Sequence, residues 1–224
     1  MKIQSLTKWA AIAVLFLAIS PATHANLVVN GSFEADPFTA NGNYELGLIG
    51  NDVTGWYIPS GNGTYPWGLQ NGAFGASTPY GNQWIVLGLY SSGFEYSIQQ
   101  TLTGLAVGST YDLSFAIASE QNCCSQAQVS FLSGSSTAAQ NFSATNSGQY
   151  WTDWSTHSMS FIADNSSVTF QFKNINPSTN GYDLGLDNVV VEVAAIPEPE
   201  IYAMLGVGLG LMGWVGRRRK LQAA

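Results

Sequence analysis

The sequence predicts an all-β protein: a jelly-roll β-sandwich between a signal helix at one end and a single transmembrane helix at the other. Three observations carry this. Between residues 26 and 196, about eight short apolar or alternating runs are separated by turn residues, the spacing of a sandwich. Nothing in that region repeats with the 3.6-residue period of an amphipathic helix. Both ends of the chain differ from it, each pairing an apolar stretch with basic residues.

The runs justify themselves in order. Asn26–Glu34 is a short apolar strand closing on a turn at Asn30-Gly31. Residues 36–51 are Gly- and Asn-rich without period and read as a long loop, and Gly55–Ile58 resumes extended structure. Residues 59–80 read as a second irregular stretch, carrying Tyr65, Trp67 and Phe74 among glycines. Trp84–Leu89 is almost continuously apolar, and Ser97–Leu102 leads into turns at Gly104 and Gly108. Tyr111–Ala118 alternates with period two and is the clearest strand. Gln128–Leu132, Trp151–Phe161, Val168–Phe172 and Leu186–Val193 follow, the last expected to lie beside the first as jelly-roll termini do.

The ends set the compartment. Lys2 and Lys8 precede an apolar run from Trp9 to Ile19, and Ala22-Thr23-His24-Ala25 offers small residues for cleavage, so 1–25 reads as a signal peptide. At the other end, Pro197-Glu198-Pro199-Glu200 precedes an uncharged segment, 201–216, and then Arg217-Arg218-Arg219-Lys220. As a helix that segment spans roughly 24 Å, short for a ~30 Å bilayer core but extensible by snorkelling cations. The basic cluster favours retention on the cytoplasmic side. The two prolines keep the chain extended ahead of the helix. Residues 26–196 form one exported domain, and 197–224 a sorting tail.

Charge narrows the partners. Within 26–196 one lysine, Lys173, stands against twelve acids, a formal charge of −11. Phosphate backbones need basic side chains, so nucleic acid is excluded as a partner.

The tail resembles the PEP-CTERM sorting signal of Gram-negative bacteria, on Pro197-Glu198-Pro199, the apolar run and Arg217, Arg218 and Arg219. The resemblance implies an exosortase as processing partner. It also implies anchorage in the inner membrane beforehand, then a place at the surface or in an exopolysaccharide matrix. A second resemblance spans nearly all of 26–196. Its signature is Asn30-Gly-Ser-Phe-Glu34, Gln99–Leu105 with Gly108 and Tyr111–Phe115, Trp151-Thr152 and Gly185–Val189. These are similar to galactose-binding-like jelly rolls, among them family 4/9/22 carbohydrate-binding modules and the DUF642 group. That implies a structural calcium tying the first strand to the last, with Glu34 and Asp187 at the matching positions. Calcium takes six to eight oxygens, and Glu45 and Asp52 are available as further ligands.

Sugar recognition needs aromatic faces and orienting amides or hydroxyls. Tyr65 and Trp67, in a loop, and Trp84, on a strand that could serve core or ligand, are the candidates. Cys123 and Cys124 are adjacent, so a long-loop disulfide between them is geometrically excluded; a strained vicinal ring, free thiols or an intermolecular bridge stay open. His157 has no Gly-x-Ser-x-Gly partner. The expected function is that of a non-catalytic matrix protein with weak carbohydrate binding. The alternatives are a structural or adhesive protein-binding component and a glycan-active hydrolase.

Overall fold

A computed structural model describes residues 25–39, 41–59, 66–88, 96–121, 124–148, 150–175, 183–195 and 205–212. Its strands are β1 (Tyr44–Glu45), β2 (Trp67–Gln70), β3 (Gln83–Leu87), β4 (Ser97–Thr103) and β5 (Thr110–Ser119). They continue with β6 (Cys124–Ser133), β7 (Gln140–Thr145), β8 (Ser155–Ile162), β9 (Ser167–Asn174) and β10 (Leu184–Val193). A six-stranded sheet, in the order β1-β2-β3-β10-β5-β8, faces a four-stranded one, β4-β9-β6-β7, with all pairs antiparallel. From β3 onward the chain changes sheet at every connection except β6–β7, so the sandwich wraps as a jelly roll.

Alternation decides the inner faces. Leu113, Phe115 and Ile117 of β5 meet Val168, Phe170 and Phe172 of β9 in one large core, where Phe115 and Phe172 sit edge to face at 4.9 Å. The first segment lies along the last strand, as expected. Leu27 N donates to Val191 O at 2.9 Å and Val189 N to Gly31 O at 2.8 Å, the latter carbonyl brought in where Gly31 lets the backbones touch.

Several expectations need correction. Trp67 lies on β2, not in a loop, and β1 falls inside the stretch read as irregular. Gln140–Thr145 pairs with β6 although only Phe142 and Ala144 mark it as apolar. Trp151 does not belong to the strand that follows it: its φ of 50° is left-handed, and β8 begins at Ser155. At the C-terminus, residues 205–212 are helical, about 12 Å long, with Leu205, Val207 and Leu209 exposed. Among the described residues no helix is long and apolar enough to cross a membrane. The signal segment, Pro197, Glu198, Pro199, Arg217, Arg218, Arg219, Tyr65 and Cys123 lie outside the described residues, as does the side chain of Cys124.

Candidate functional site: an aromatic layer on the six-stranded sheet

The outer face of the six-stranded sheet has an unusual floor. Register aligns Val86 of β3 with Gly185 of β10 and Ala118 of β5, and, two residues along, Asp187 of β10 with Ala116 of β5. Glycine and alanine on adjacent strands leave a trough, and two loops fill it with rings. Residues 71–82 cross from β2 to β3, and 146–154 cross from β7 to β8. Trp151 and Trp154 lie over Gly185, whose Cβ, were there one, would come within 2.8 Å of Trp151 Cδ1. Trp154 is fixed by its indole N–H, which donates to Ser77 O at 2.8 Å. Tyr80 reaches Thr156 of β8, hydroxyl to hydroxyl, at 3.0 Å.

These residues form a second core on the far side of the sheet from the first. Leu69, Trp84, Val86, Ala118 and Trp151 are buried, while Tyr44, Trp67, Tyr150 and Trp154 are partly exposed above them. Neighbouring ring centroids run Tyr44–Phe74 at 5.3 Å, Phe74–Tyr150 at 6.3 Å, Tyr150–Trp151 at 6.2 Å and Trp151–Trp84 at 6.5 Å. The outermost ring, Phe74, is 51% exposed. Tyr44, Phe74 and Tyr150 therefore present three contiguous rings, each tilted by 37–40° to the next, to solvent.

This layer is strained. Phe74, Tyr150 and Trp151 all hold left-handed φ, at 53°, 48° and 50°. Such conformations cost about 1–3 kcal/mol each and gather at functional sites. Among the described residues the buried indole N–H groups of Trp84 and Trp151 also find no acceptor, which native interiors rarely allow. A polar frame holds the geometry. Asn146 Nδ2 donates to Ser119 O at 2.8 Å, and its Oδ1 receives Gly148 N at 2.8 Å and the Thr152 hydroxyl at 3.2 Å. Asp153 accepts Ser147 N at 2.8 Å and its hydroxyl at 2.7 Å, bonds that hold its carboxyl below the usual carboxylate range.

Asp187 is the one charged group in the floor and is completely buried. Its Oδ2 accepts from the Thr78 hydroxyl at 2.6 Å and its Oδ1 from Asn188 N at 2.6 Å. Asn188, at a φ of 50°, forms the bulge that aims it. Burial pushes the Asp187 pKa up to about 7, and the nearby charge of Glu34 adds to the rise. Glu34 itself is exposed and accepts Asn82 N at 2.7 Å and Gln83 N at 2.8 Å on Oε1. It also lines a polar cleft of about 420 Å³ with Pro37, Gln70, Asn71, Asn82 and Gln83. Glu34 thus lies near enough to Asp187 for its charge to act on it. Among the described residues no group of three or more Asp, Glu, His or Cys surrounds a common point.

The other candidates part company. Trp84 is wholly buried under the two loops and offers no face to a ligand. Trp67 keeps a half-exposed ring at the layer's margin. His157 faces Phe115 and Phe142 at the sandwich rim, at 6.0 and 5.5 Å, and bonds Ser155 Oγ at 3.0 Å; burial lowers its pKa. The rings that matter, Tyr44, Phe74, Tyr150 and Trp154, carry no local signal. Only their Gly and Asn neighbours, marking tight loops, hint at them.

Two family profiles match the chain: the Protein of unknown function (DUF642) over residues 26–192 and the PEP-CTERM protein-sorting motif over 195–220. The chain belongs to the DUF642 family. Its sorting motif implies export and sorting to the surface. The DUF642 chain is 29% identical over 193 residues to halomucin of Haloquadratum walsbyi (strain DSM 16790 / HBSQ001), covering 82% of itself but 2% of halomucin's length. Arabinose-bound MgGH51 α-L-arabinofuranosidase shares the fold at a TM-score of 0.53 and 12% identity, over 77% of this chain and 27% of that one. TmCBM61, solved with β-1,4-galactotriose, aligns over 75% of this chain and 99% of its own at 13% identity and a TM-score of 0.48.

Proposed function

We propose that this DUF642 domain is a non-catalytic glycan-binding module of an exopolysaccharide matrix, and that the polymer lies on the strip Tyr44–Phe74–Tyr150. The observation that carries the reading is the strip itself: three adjoining rings, partly or largely exposed, two of which, Phe74 and Tyr150, are held over the sheet by left-handed backbone that costs stability. Pyranose rings present apolar C–H faces, and aromatic rings recover the area they remove from water at about 25 cal/mol per Å². With a domain charge of −11, a neutral polymer is favoured over an acidic one. The apolar tail holds the protein at the inner membrane until an exosortase acts at Pro197-Glu198-Pro199, after which it joins the surface or matrix.

Calcium belongs to the same proposal. Glu34, Asp187 and the Thr78 hydroxyl are oxygen donors of the kind that ion takes, and a divalent cation would relieve the repulsion between two neighbouring carboxylates. Its role is structural, fixing the 71–82 loop to the bulge of β10. Calcium should raise the melting temperature of the wild type and leave Asp187→Asn unmoved.

The test of glycan binding is retention of the full-length protein on a panel of insoluble β-glucan, xylan and galactan. Wild type should bind at least one, and Phe74→Ala with Tyr150→Ala should bind it at least tenfold more weakly at an unchanged melting temperature. A folded wild type that none of the polymers retains would overturn the reading.

A further inference from the structure

A second aromatic site stands at the edge of the opposite sheet. The segment Gly55–Ile58 docks on β4 by a two-way backbone bridge, Tyr57 N to Gln99 O at 2.8 Å and Gln99 N to Tyr57 O at 2.9 Å. Ile58 makes the same exchange with Gly50, at 2.7 and 2.9 Å. Trp56 pins the segment from below: its indole donates to Asn30 O at 3.0 Å, and its ring packs against Phe33 at 5.3 Å and Phe170 at 5.7 Å. Because successive side chains of an extended segment alternate, burying Trp56 and Ile58 forces Tyr57 outward. Its ring is 43% exposed.

Beside that ring lies a cleft of about 350 Å³, lined by Asn51, Tyr57, Gln99 and Thr101 among others, none of them ionisable except the phenol. Gln100 is committed elsewhere, its amide clamping Val29 N and O at 2.8 and 2.9 Å. The side-chain amides of Asn51 and Gln99 make no hydrogen bond within the described residues. One rigidly held phenol ring and two uncommitted amides, with no charge, match an uncharged polyhydroxylated ring and fit poorly to a phosphate, a cation or a carboxylate.

We infer that the Tyr57 cleft is a second binding site for a neutral glycan, so that one domain bridges two polymer chains. The ligand class rests on the reading given for the aromatic strip; the site's existence does not. The strip belongs to the six-stranded sheet and the cleft to the edge strand of the four-stranded one, so with a polymer chain seated on each the domain would be bivalent and would cross-link a matrix.

The experiment compares full-length wild type, Phe74→Ala/Tyr150→Ala and Tyr57→Ala, with Asn51→Ala/Gln99→Ala as a second probe of the cleft. Each is loaded on the insoluble polymer that retains wild type, then offered a fluorescent soluble chain of the same polymer. Wild type should capture the soluble chain. Both cleft variants and the strip variant should stay partly retained while capture falls at least tenfold, and calorimetry with an oligosaccharide should give two sites for wild type and one for each variant. Capture unchanged in both cleft variants, or one site in wild type that only the strip variant removes, overturns the inference and leaves the strip intact. Complete loss in the cleft variants with none in the strip variant does the reverse.

Discussion

The two outer faces of this sandwich come from strands of similar pattern, yet they end differently. The four-stranded face is what an exposed sheet usually is: Thr101 meets Thr169 hydroxyl to hydroxyl at 2.8 Å, Gln128 meets Asn141 at 3.1 Å, and Lys173 is its cation. The six-stranded face has Gly185, Ala116 and Ala118 where such side chains would stand, and two loops lay a sheet of rings across the gap. Away from the Tyr57 cleft at its β4 edge, the four-stranded face is hydrated polar surface. The other is a second core whose top is left open, at the cost of three left-handed aromatic residues and two indole donors with no acceptor among the described residues. A layer serving stability alone would be better without either feature, and that is the reason to assign it a function.

The contrast breaks most visibly at its centre. Trp151→Ala removes a fully buried ring that props Tyr150 and covers Trp84, and should cost about 3–5 kcal/mol in denaturant unfolding. Glycan retention should fall with it. Next comes the charge in the floor. Asp187 has a folded pKa of about 7 against 3.8 for the unfolded chain, so the folded state holds the proton more tightly. Its contribution favours folding below the unfolded value, declines as pH rises from about 4 to about 7, and is gone above that. The ceiling is about 4 kcal/mol. With chelator present, wild type should therefore lose stability across that window, and Asp187→Asn, which keeps partners for Thr78 and Asn188, should show a flatter profile.

Smaller changes sharpen the contrast. Gly185→Ala places a methyl 2.8 Å from Trp151 Cδ1 and 3.1 Å from Trp154 Cη2, and should cost about 1–3 kcal/mol by overpacking. Phe74→Gly separates strain from function: it removes the exposed ring and a left-handed φ together. Stability should hold or rise by roughly 1 kcal/mol, while polymer retention drops about tenfold. A variant that loses both would make Phe74 a packing residue.

Strands were legible where one face alone was buried. In β5, Tyr111 to Ala118, and β9, Val168 to Phe172, period two reports the large core directly. The pairing of the first segment with β10 also followed from the order of the runs. The aromatic layer was not legible, because its rings are separated by up to 110 positions, from Tyr44 to Trp154, and meet only through the register of the six-stranded sheet and the two loops that cross it. Trp84 looked available because a continuous apolar run cannot say what covers its second face. Trp67 looked like loop because Gly68, which admits Phe38 from the inner side, broke the pattern of β2. Glu34 and Asp187 were named by resemblance; the direction in which Asp187 points depends on a bulge at Asn188 that no periodicity announces.

The least effect belongs to the plain face, and it is the control on everything above. Gln128 lies on β6, separated by β9 from β4 and the Tyr57 bridge, and among the described residues its side chain bonds only Asn141 on the neighbouring strand. Gln128→Ala trades one exposed amide contact for solvent and should move stability by no more than about 0.5 kcal/mol. Retention on insoluble polymer and capture of soluble chains should both match wild type. If Gln128→Ala weakens retention as much as Phe74→Gly does, then polar sheet surface rather than stacked rings holds the polymer, and the functional distinction between the two faces disappears.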